Sequence, residues 1–211
     1  MCCPETLLLP DEPVQQVVYL PGDAAQAEAI FPLLTTPAAL VSIPVDWNRD
    51  LSPWPSPGVF RAGGDFAGGA PAFLQRLTEE IIPRIEAHLP LPVGRRFIAG
   101  YSLAGLFALW AAHSCGRFHG AASMSGSLWY EGFLPWAQAQ RCQVRSAYLS
   151  VGDREAKTRS VRMAPVEQCT RDMASLLTSR GIETTFTLER GGHFDDPTGR
   201  IARGINWLLS R

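Results

Sequence analysis

The sequence predicts an α/β fold built on a mostly parallel sheet of about six strands, with helices on both faces of the sheet. Runs of strand length that are rich in β-branched and aromatic residues alternate with runs of helix length along the chain. Run 39–45 is nearly all apolar and run 103–112 is apolar on every face, as expected for elements buried within such a fold. No repeat or change of composition divides the 211 residues, so residues 1–211 are predicted to form one domain without a separate cap domain.

The first predicted elements leave one edge of the sheet short. Residues 1–16 are rich in proline and acidic residues and predict a surface segment before the first strand, 17–20. Asp23 then caps an alanine-rich helix that runs to about residue 34, and strand 39–45 follows. Since the chain starts close to its first central strand, an edge strand is free to pair with a second copy. A homo-oligomer is therefore one alternative.

A long irregular stretch, residues 46–70, interrupts the alternation. It is dense in proline, glycine and tryptophan and contains Trp47, Trp54, Phe60 and Phe66. A loop of this length inside a compact domain is uncommon and usually functional. We interpret it as an ordered binding loop packed over the site. The alternative is a structural loop held in place by its own aromatic side chains.

The remaining elements restore the regular order. A helix beginning at Pro71 should be kinked at Pro83, and the last helix should begin at Asp196, a capping residue followed by proline. The other predicted strands are 97–99, 121–125, 146–151 and 184–188, and the other predicted helices are 103–112, 131–140 and 165–179.

The residues around position 100 have the pattern of a serine at a sharp turn from strand to helix. Gly100-Tyr101-Ser102-Leu103-Ala104 matches the G-x-S-x-A form of the nucleophile elbow. Small residues two positions before and after Ser102 let the strand and the helix approach, and the turn pushes the serine hydroxyl outward. The alternative is an ordinary Gly-Ser turn before a core helix.

Two later segments offer the base and the acid that a nucleophilic serine requires. In α/β-hydrolases the chain order is serine, acid, histidine. His193 follows the last predicted strand behind two glycines, whereas the three other histidines lie on or before other elements. The loop after strand 146–151 contains Asp153 and Glu155. The residues alone leave open which of the two is the acid.

Backbone N–H groups are the expected donors of the oxyanion hole. The Leu103 N–H lies at the start of the helix after Ser102, where helical N–H groups have no helical partner. The second donor should come from the turn after the first strand. Pro21 has no N–H, so Asp23 or, alternatively, Gly22 should supply it.

Together these segments resemble the esterase branch of the α/β-hydrolases, which includes enterochelin (siderophore) esterases, S-formylglutathione hydrolases, feruloyl esterases and mycolyltransferases. The resemblance covers the chain from about Val17 to its end, and it implies the α/β-hydrolase fold. In this branch the acid commonly lies three residues after the strand-end glycine and is glutamate in several members, which favours Glu155. The segments that carry the resemblance are Gly100–Gly105, Ser125–Tyr130, Gly152–Glu155 and Gly192–Phe194.

Five residues are predicted to bind the substrate. Trp129 and Tyr130 follow a strand end and could wall the acyl or alcohol pocket, although both could equally be core aromatics. Trp47 in the irregular stretch and Tyr101 beside Ser102 complete the aromatic set. Arg49 is included through the resemblance, because its segment looks like an arginine-to-proline segment that lies beside the site in the family.

Composition argues against several other classes of function. A formal charge of −1 gives no reason to expect nucleic acid or an anionic membrane surface as a partner. No apolar run reaches the length of a membrane span, and no signal peptide is visible. The five cysteines, an odd number without metal-ligand spacing, predict reduced thiols and a cytoplasmic location. No metal or cofactor is implied.

The sequence therefore predicts a serine hydrolase that cleaves a carboxylic ester or thioester of a small molecule through an acyl-enzyme. One alternative is an acyltransferase that uses the same residues and passes the acyl group to an alcohol. The other is a catalytically inactive, hydrolase-like binding protein. A siderophore lactone, a short-chain ester, a thioester and a sugar ester all remain open as substrates.

Overall fold

The computed structural model describes residues 5–59 and 63–211, in which strands and helices alternate as predicted. The strands are β1 (Thr6–Leu8), β2 (Gln16–Pro21), β3 (Ala39–Ile43), β4 (Pro55–Ser56), β5 (Phe66–Ala67), β6 (Arg95–Tyr101), β7 (Gly120–Met124), β8 (Ser146–Gly152) and β9 (Glu183–Glu189). The helices are α1 (Ala24–Ile30), α2 (Trp47–Asp50), α3 (Ala70–Arg76), α4 (Ile82–Glu86), α5 (Leu103–Ser114), α6 (Phe133–Ala139), α7 (Val166–Ser179) and α8 (Pro197–Leu209). Seven strands form one sheet in the order β1-β3-β2-β6-β7-β8-β9, and β4 pairs with β5 separately.

The edge of the sheet differs from the prediction. Residues 6–8, in the predicted surface segment, form β1 and pair antiparallel with β3, with Leu7 opposite Val41. The other neighbouring strands of the sheet are parallel. A strand of three residues is too short to show an alternating pattern, so the sequence does not reveal it. Since β1 covers the edge of β3, the argument for pairing a second copy at that edge no longer holds.

Helices cover both faces of the sheet because successive strand residues bury their side chains on opposite faces. Leu20 and Phe97 pack with α1 and α8 on one face. Their neighbours Tyr19 and Ile98 pack with α3 to α7 on the other. Helix α5 is buried from residue 103 to residue 113, as its apolar sequence predicts. In the described part of the chain, no helix has the length and apolar character needed to span a membrane.

The helix predicted from Pro71 is interrupted at the predicted kink. Helix α3 passes into a π-helical turn, Leu77–Ile81, and α4 then begins with Pro83 in its first turn. Pro83 has no N–H to donate to the carbonyl four residues earlier, and its ring crowds that carbonyl. The wider π-helical turn accommodates the missing hydrogen bond.

The stretch 46–70 is more ordered than predicted, because it contains α2 and the β4–β5 pair. Trp54 packs edge-on against Tyr130, and its Nε1–H donates to the carbonyl oxygen of Glu131 at 3.0 Å. Trp54 therefore fastens the stretch to the body of the protein. Trp47 is 42% exposed and faces the site described below. The interpretation as a binding loop therefore applies to Trp47, and the interpretation as a structural loop applies to Trp54. Phe60 lies outside the described residues.

Candidate active site

Ser102 lies at the turn between β6 and α5 and has a strained backbone, with φ 57° and ψ −121°. Two hydrogen bonds hold this turn. The Ser102 N–H donates to the Met124 carbonyl oxygen at 3.1 Å, and the Ser127 N–H donates to the Ser102 carbonyl oxygen at 3.0 Å. A Cβ on Gly100 would come within 2.2 Å of the Ala104 carbonyl oxygen, so the contact between strand and helix requires glycine at this position.

His193 and Glu155 approach Ser102 from two other strand ends. His193 Nε2 lies 3.1 Å from Ser102 Oγ, and His193 Nδ1 lies 2.7 Å from Glu155 Oε2. Glu155 lies in the turn after β8, and His193 lies in the loop after β9. Parallel strands bring their carboxyl ends to one edge of the sheet, which places the three side chains together. This is the arrangement by which a histidine can take a proton from a serine hydroxyl.

The Glu155 carboxylate is buried but well supplied with hydrogen-bond donors. Its side chain is 3% exposed. Oε1 accepts hydrogen bonds from the Gly152 N–H at 2.7 Å, the Ser125 hydroxyl at 2.7 Å and Arg200 Nη1 at 2.9 Å. Burial raises the pKa of Glu155, but the hydrogen bonds from His193, Ser125 and Gly152 outweigh it and hold the pKa below its usual range. The carboxylate is therefore ionised at neutral pH.

Asp153, the alternative acid, is exposed and does not contact His193. Its Oδ1 accepts a hydrogen bond from the Gly191 N–H at 2.8 Å, and its own N–H donates to the Glu189 carbonyl oxygen at 2.8 Å. Asp153 thus connects the turn after β8 to the loop after β9. The structure therefore places Glu155, and not Asp153, against the histidine.

The predicted oxyanion donors differ in whether their N–H groups are already engaged. Leu103 is the first residue of α5, so its N–H belongs to the N-terminal group that has no partner within the helix. The Gly22 N–H already donates to the Ile43 carbonyl oxygen at 2.9 Å. Asp23 caps α1 by accepting a hydrogen bond from the Gln26 N–H at 2.8 Å. Its own N–H stays the candidate for the second donor.

A cavity of about 440 Å³ opens beside Ser102 and His193, which is a size suited to a small ligand. The apolar side chains that line it are Trp47, Val59, Phe66, Leu103, Trp129, Met163, Val166, Phe194 and Pro197. Polar groups are fewer, and Asn48, Gln26 and Ser127 are among them. Among the residues that the structure describes, no lysine or arginine lines this cavity. The apolar walls of the cavity suit an apolar or aromatic group.

The five predicted substrate residues divide into two groups. Three of them line the cavity, namely Trp47, Tyr101 and Trp129. Tyr130 does not line it, because this residue is 2% exposed and its hydroxyl donates to the Trp54 carbonyl oxygen at 2.5 Å. Arg49 also lies outside the cavity wall, and its Nε donates to Asp50 Oδ1 at 2.8 Å. A strand end brings an aromatic residue near the site, but the sequence does not say which way that residue faces.

Sequence reasoning assigned no role to Ser125 or Arg200, and it gave Tyr101 a role in substrate binding only. The Tyr101 hydroxyl donates to the His193 carbonyl oxygen at 2.6 Å, so it also holds the histidine loop. Ser125 follows β7 with φ 49°, at a fourth strand end on the same edge of the sheet. Its position at the end of the predicted strand 121–125 was the available signal. Helical spacing places Arg200 next to the apolar stripe of α8 but indicates no partner for it.

Comparison with known proteins identifies the family. The model of the family described as "Putative esterase" matches residues 24–193, which is most of the chain. No curated protein sequence matches the chain.

Solved structures with the same fold include several hydrolases. An IroE-like serine hydrolase from Shewanella oneidensis superposes with a TM-score of 0.80 at 20% identity, covering 98% of this chain and 75% of the other. The siderophore hydrolase EstA from Aspergillus nidulans gives 0.73 at 21% identity, covering 94% and 83%. The enterobactin esterase FES from Shigella flexneri gives a TM-score of 0.71 at 19% identity. The superposition covers 98% of this chain but only 55% of the length of FES.

The family match and the shared fold agree with each other. At these identities the structural similarity establishes the α/β-hydrolase fold, and the family match, which covers most of the chain, establishes the relationship in sequence. The chain belongs to this esterase family of the α/β-hydrolase fold, and the protein is an esterase.

Proposed function

We propose that this esterase is a serine hydrolase that cleaves a carboxylic ester or thioester of a small molecule through an acyl-enzyme on Ser102. The observation that carries the proposal is the continuous line of contacts from the serine hydroxyl to the histidine and the acid. Ser102 Oγ lies 3.1 Å from His193 Nε2, and His193 Nδ1 lies 2.7 Å from Glu155 Oε2. A serine hydroxyl is a weak nucleophile until a neighbouring base removes its proton.

In the first step, His193 Nε2 accepts the Ser102 proton as Oγ attacks the carbonyl carbon of the ester. For this the imidazole must carry its proton on Nδ1, and the ionised Glu155 carboxylate 2.7 Å away selects that tautomer. The same carboxylate stabilises the imidazolium that forms. Glu155 is ionised for this role because its hydrogen bonds hold its pKa low despite burial.

The negative charge that develops on the carbonyl oxygen needs hydrogen-bond donors that are already in place. The Leu103 N–H supplies one of them, at the N-terminus of a helix of 12 residues whose dipole favours negative charge there. We assign the second donor to the Asp23 N–H, because the Gly22 N–H is already bonded within the sheet.

The remaining steps reverse the direction of proton transfer. The imidazolium of His193 gives its proton to the leaving alcohol or thiol, and the acyl group stays on Ser102. A water molecule then attacks the acyl-enzyme while His193 takes the water proton. The carboxylic acid leaves, and the proton returns to Ser102 Oγ, which restores the free enzyme.

The cavity supports an ester with an uncharged apolar or aromatic group next to the reacting carbonyl. Trp47, Trp129 and Phe194 provide flat apolar surfaces beside Ser102, and the described lining contains no cation for an anionic substrate. Two of the solved structures compared above are a siderophore hydrolase and an enterobactin esterase, so siderophore lactones belong in the first set of natural esters to test. Aryl esters, short-chain esters and thioesters complete that set.

Labelling with a fluorophosphonate, followed by peptide mass mapping, tests the proposal without knowledge of the substrate. We expect a stoichiometric adduct on Ser102, and we expect His193→Ala to abolish it because the serine then lacks its base. Ser127→Ala is the matched control, since this serine lines the same cavity but its side chain takes no part in the contacts that join Ser102, His193 and Glu155. It should leave the adduct on Ser102 unchanged. Folded protein without an adduct on Ser102 would contradict the proposal.

A further inference from the structure

Arg200 is a buried charge that the proposed reaction steps do not use. It lies near the start of α8, and its side chain is 0% exposed. Nη1 lies 2.9 Å from Glu155 Oε1, 2.9 Å from Ser125 Oγ and 3.3 Å from Tyr101 Oη. Nη2 donates to the Arg190 carbonyl oxygen at 3.1 Å. One guanidinium therefore contacts residues at the ends of β6 and β7, in the turn after β8 and in the loop after β9.

Stability alone does not explain this arrangement. Removing a guanidinium and a carboxylate from water is so unfavourable that a buried ion pair is often no more stabilising than a well-packed apolar pair. The position of the contact is more informative. Arg200 contacts Glu155 Oε1, the oxygen that does not face His193. By holding Oε1, Arg200 also determines the direction in which Oε2 points.

Glutamate requires this kind of restraint because its side chain has one more rotatable bond than that of aspartate. Oε1 receives the Gly152 N–H, the Ser125 hydroxyl and the Arg200 guanidinium, which leaves Oε2 to accept the hydrogen bond of the histidine. Of these three donors, Arg200 alone carries a charge. A Cβ on Gly152 would come within 2.8 Å of Arg200 Nη2. A side chain at position 152 would therefore displace the guanidinium from its place beside Glu155.

We infer that Arg200 is a positioning residue for ester hydrolysis: its guanidinium, together with Ser125, fixes the Glu155 carboxylate with Oε2 towards His193. The inference rests on the proposed roles of Ser102, His193 and Glu155. Arg200 does not line the cavity, so it acts through Glu155 and not on the substrate.

The positive charge of Arg200 lies beside the acid that faces His193, so its removal should change the pH dependence of the rate. Other groups near this acid–histidine pair are Tyr101, whose pKa is raised by burial, and the surface pair of Arg154 and Asp195, which bond to each other at 2.9 Å. Without Arg200 the pair has one positive charge fewer beside it. It should therefore take up a proton at higher pH, which is an effect that a purely structural residue would not produce.

Hydrolysis of p-nitrophenyl acetate by Arg200→Met and Arg200→Lys, measured from about pH 5 to about pH 9, tests the inference. For Arg200→Met we expect kcat/KM to fall about 10- to 100-fold, the factor that corresponds to one hydrogen bond to a charged group. The acid limb of its pH profile should move to higher pH. Arg200→Lys keeps the charge but not the planar fork, so we expect about a tenfold loss with the acid limb unmoved.

Proton NMR gives a readout that does not need turnover. The His193 Nδ1–H bonded to Glu155 should give a low-field resonance, assigned by its absence in His193→Ala. This resonance should shift or broaden in Arg200→Met and Arg200→Lys. Arg203→Met is the matched control, because Arg203 lies on the same helix, bonds Glu189 at 2.9 Å and does not contact the acid. It should leave the rate, the pH profile and the resonance unchanged.

The outcomes separate this inference from the function on which it rests. Suppose that the wild type is labelled at Ser102 and that folded Arg200→Met and Arg200→Lys keep the wild-type rate, pH profile and resonance. The inference is then overturned, while the proposed function stands. If Ser102 of the wild type is not labelled, the function fails and the inference fails with it. If Arg200→Met does not fold, Arg200→Lys decides, and a wild-type rate with an unchanged resonance overturns the inference.

Discussion

Glu155→Gln tests the orientation of the acid by exchanging one oxygen atom for an NH2 group. In the wild type, Oε1 accepts hydrogen bonds from three donors at 2.7, 2.7 and 2.9 Å, and Oε2 faces His193 Nδ1 at 2.7 Å. A glutamine amide offers one acceptor oxygen and one donor nitrogen. Because the three donors require an acceptor, the amide oxygen should occupy the Oε1 position. The NH2 group then faces the histidine.

This orientation reverses the tautomer of the imidazole. With a donor opposite it, His193 Nδ1 must accept a hydrogen bond, and the ring proton moves to Nε2. Nε2 then donates to Ser102 Oγ and no longer takes its proton. A wrong tautomer of this kind lowers kcat about 10⁴-fold in a Ser-His-Asp triad, and we expect a loss of about 10³- to 10⁴-fold here. Arg200 also loses its anionic partner, which should lower the free energy of unfolding by about 3 kcal/mol.

Hydrolysis of p-nitrophenyl acetate and urea denaturation measure the two effects separately. Asp153→Asn is the matched control, since it makes the same chemical change two residues away. Its amide oxygen can still accept the Gly191 N–H, so kcat should stay within about twofold of the wild type. If Glu155→Gln keeps kcat within tenfold of the wild type, or if Asp153→Asn loses as much as Glu155→Gln, this account of the acid is refuted.

Three further predictions follow from the same geometry. Gly100→Val places a Cβ within 2.2 Å of a carbonyl oxygen, so urea denaturation should show a loss of about 3 kcal/mol or more, whereas Gly94→Ala, with its nearest contact at 3.6 Å, should be tolerated. Because the folded-state pKa of Glu155 is lowered, its contribution to stability is present above about pH 4.3 and is lost as the pH falls further. The difference in unfolding free energy between the wild type and Glu155→Gln should therefore shrink on acidification, and a constant difference would contradict this. Trp129→Ala should raise KM for an aryl ester about tenfold, while Tyr130→Phe in the core should change KM less than twofold; equal effects would contradict the cavity assignment.

Much of the fold, and the approach of His193 to Ser102, could be predicted from the sequence because the order of strands and helices determines both. Once strands and helices alternate in a parallel sheet, every strand ends at the same edge. Ser102 and His193 each follow a strand, so the structure brings them within 3.1 Å of each other although 91 residues separate them. Strand β1 was missed because three residues carry no detectable period.

The direction in which a side chain points could not be predicted, and the assignments that stayed open or were missed share this cause. Asp153 and Glu155 lie two residues apart in one turn, and only the path of that turn decides which carboxylate meets the histidine. Trp129 and Tyr130 are neighbours, but one lines the cavity and the other packs in the core. Arg200 meets its acid across 45 residues, and helical spacing gives no sign of such a contact.

The position of Arg200 on α8 has a consequence for the growing chain. Ser102 and the turn that holds Glu155 are synthesised before the histidine loop, and α8 follows all of them. Until α8 has packed against β6, β7 and β8, the acid lacks its charged partner and the Tyr101 hydroxyl lacks the contact that Arg200 provides. A chain in which α8 has not yet docked should therefore hold Glu155 less firmly and hydrolyse esters more slowly. Packing of α8 against the sheet therefore contributes to the orientation of the acid as well as to the hydrophobic core.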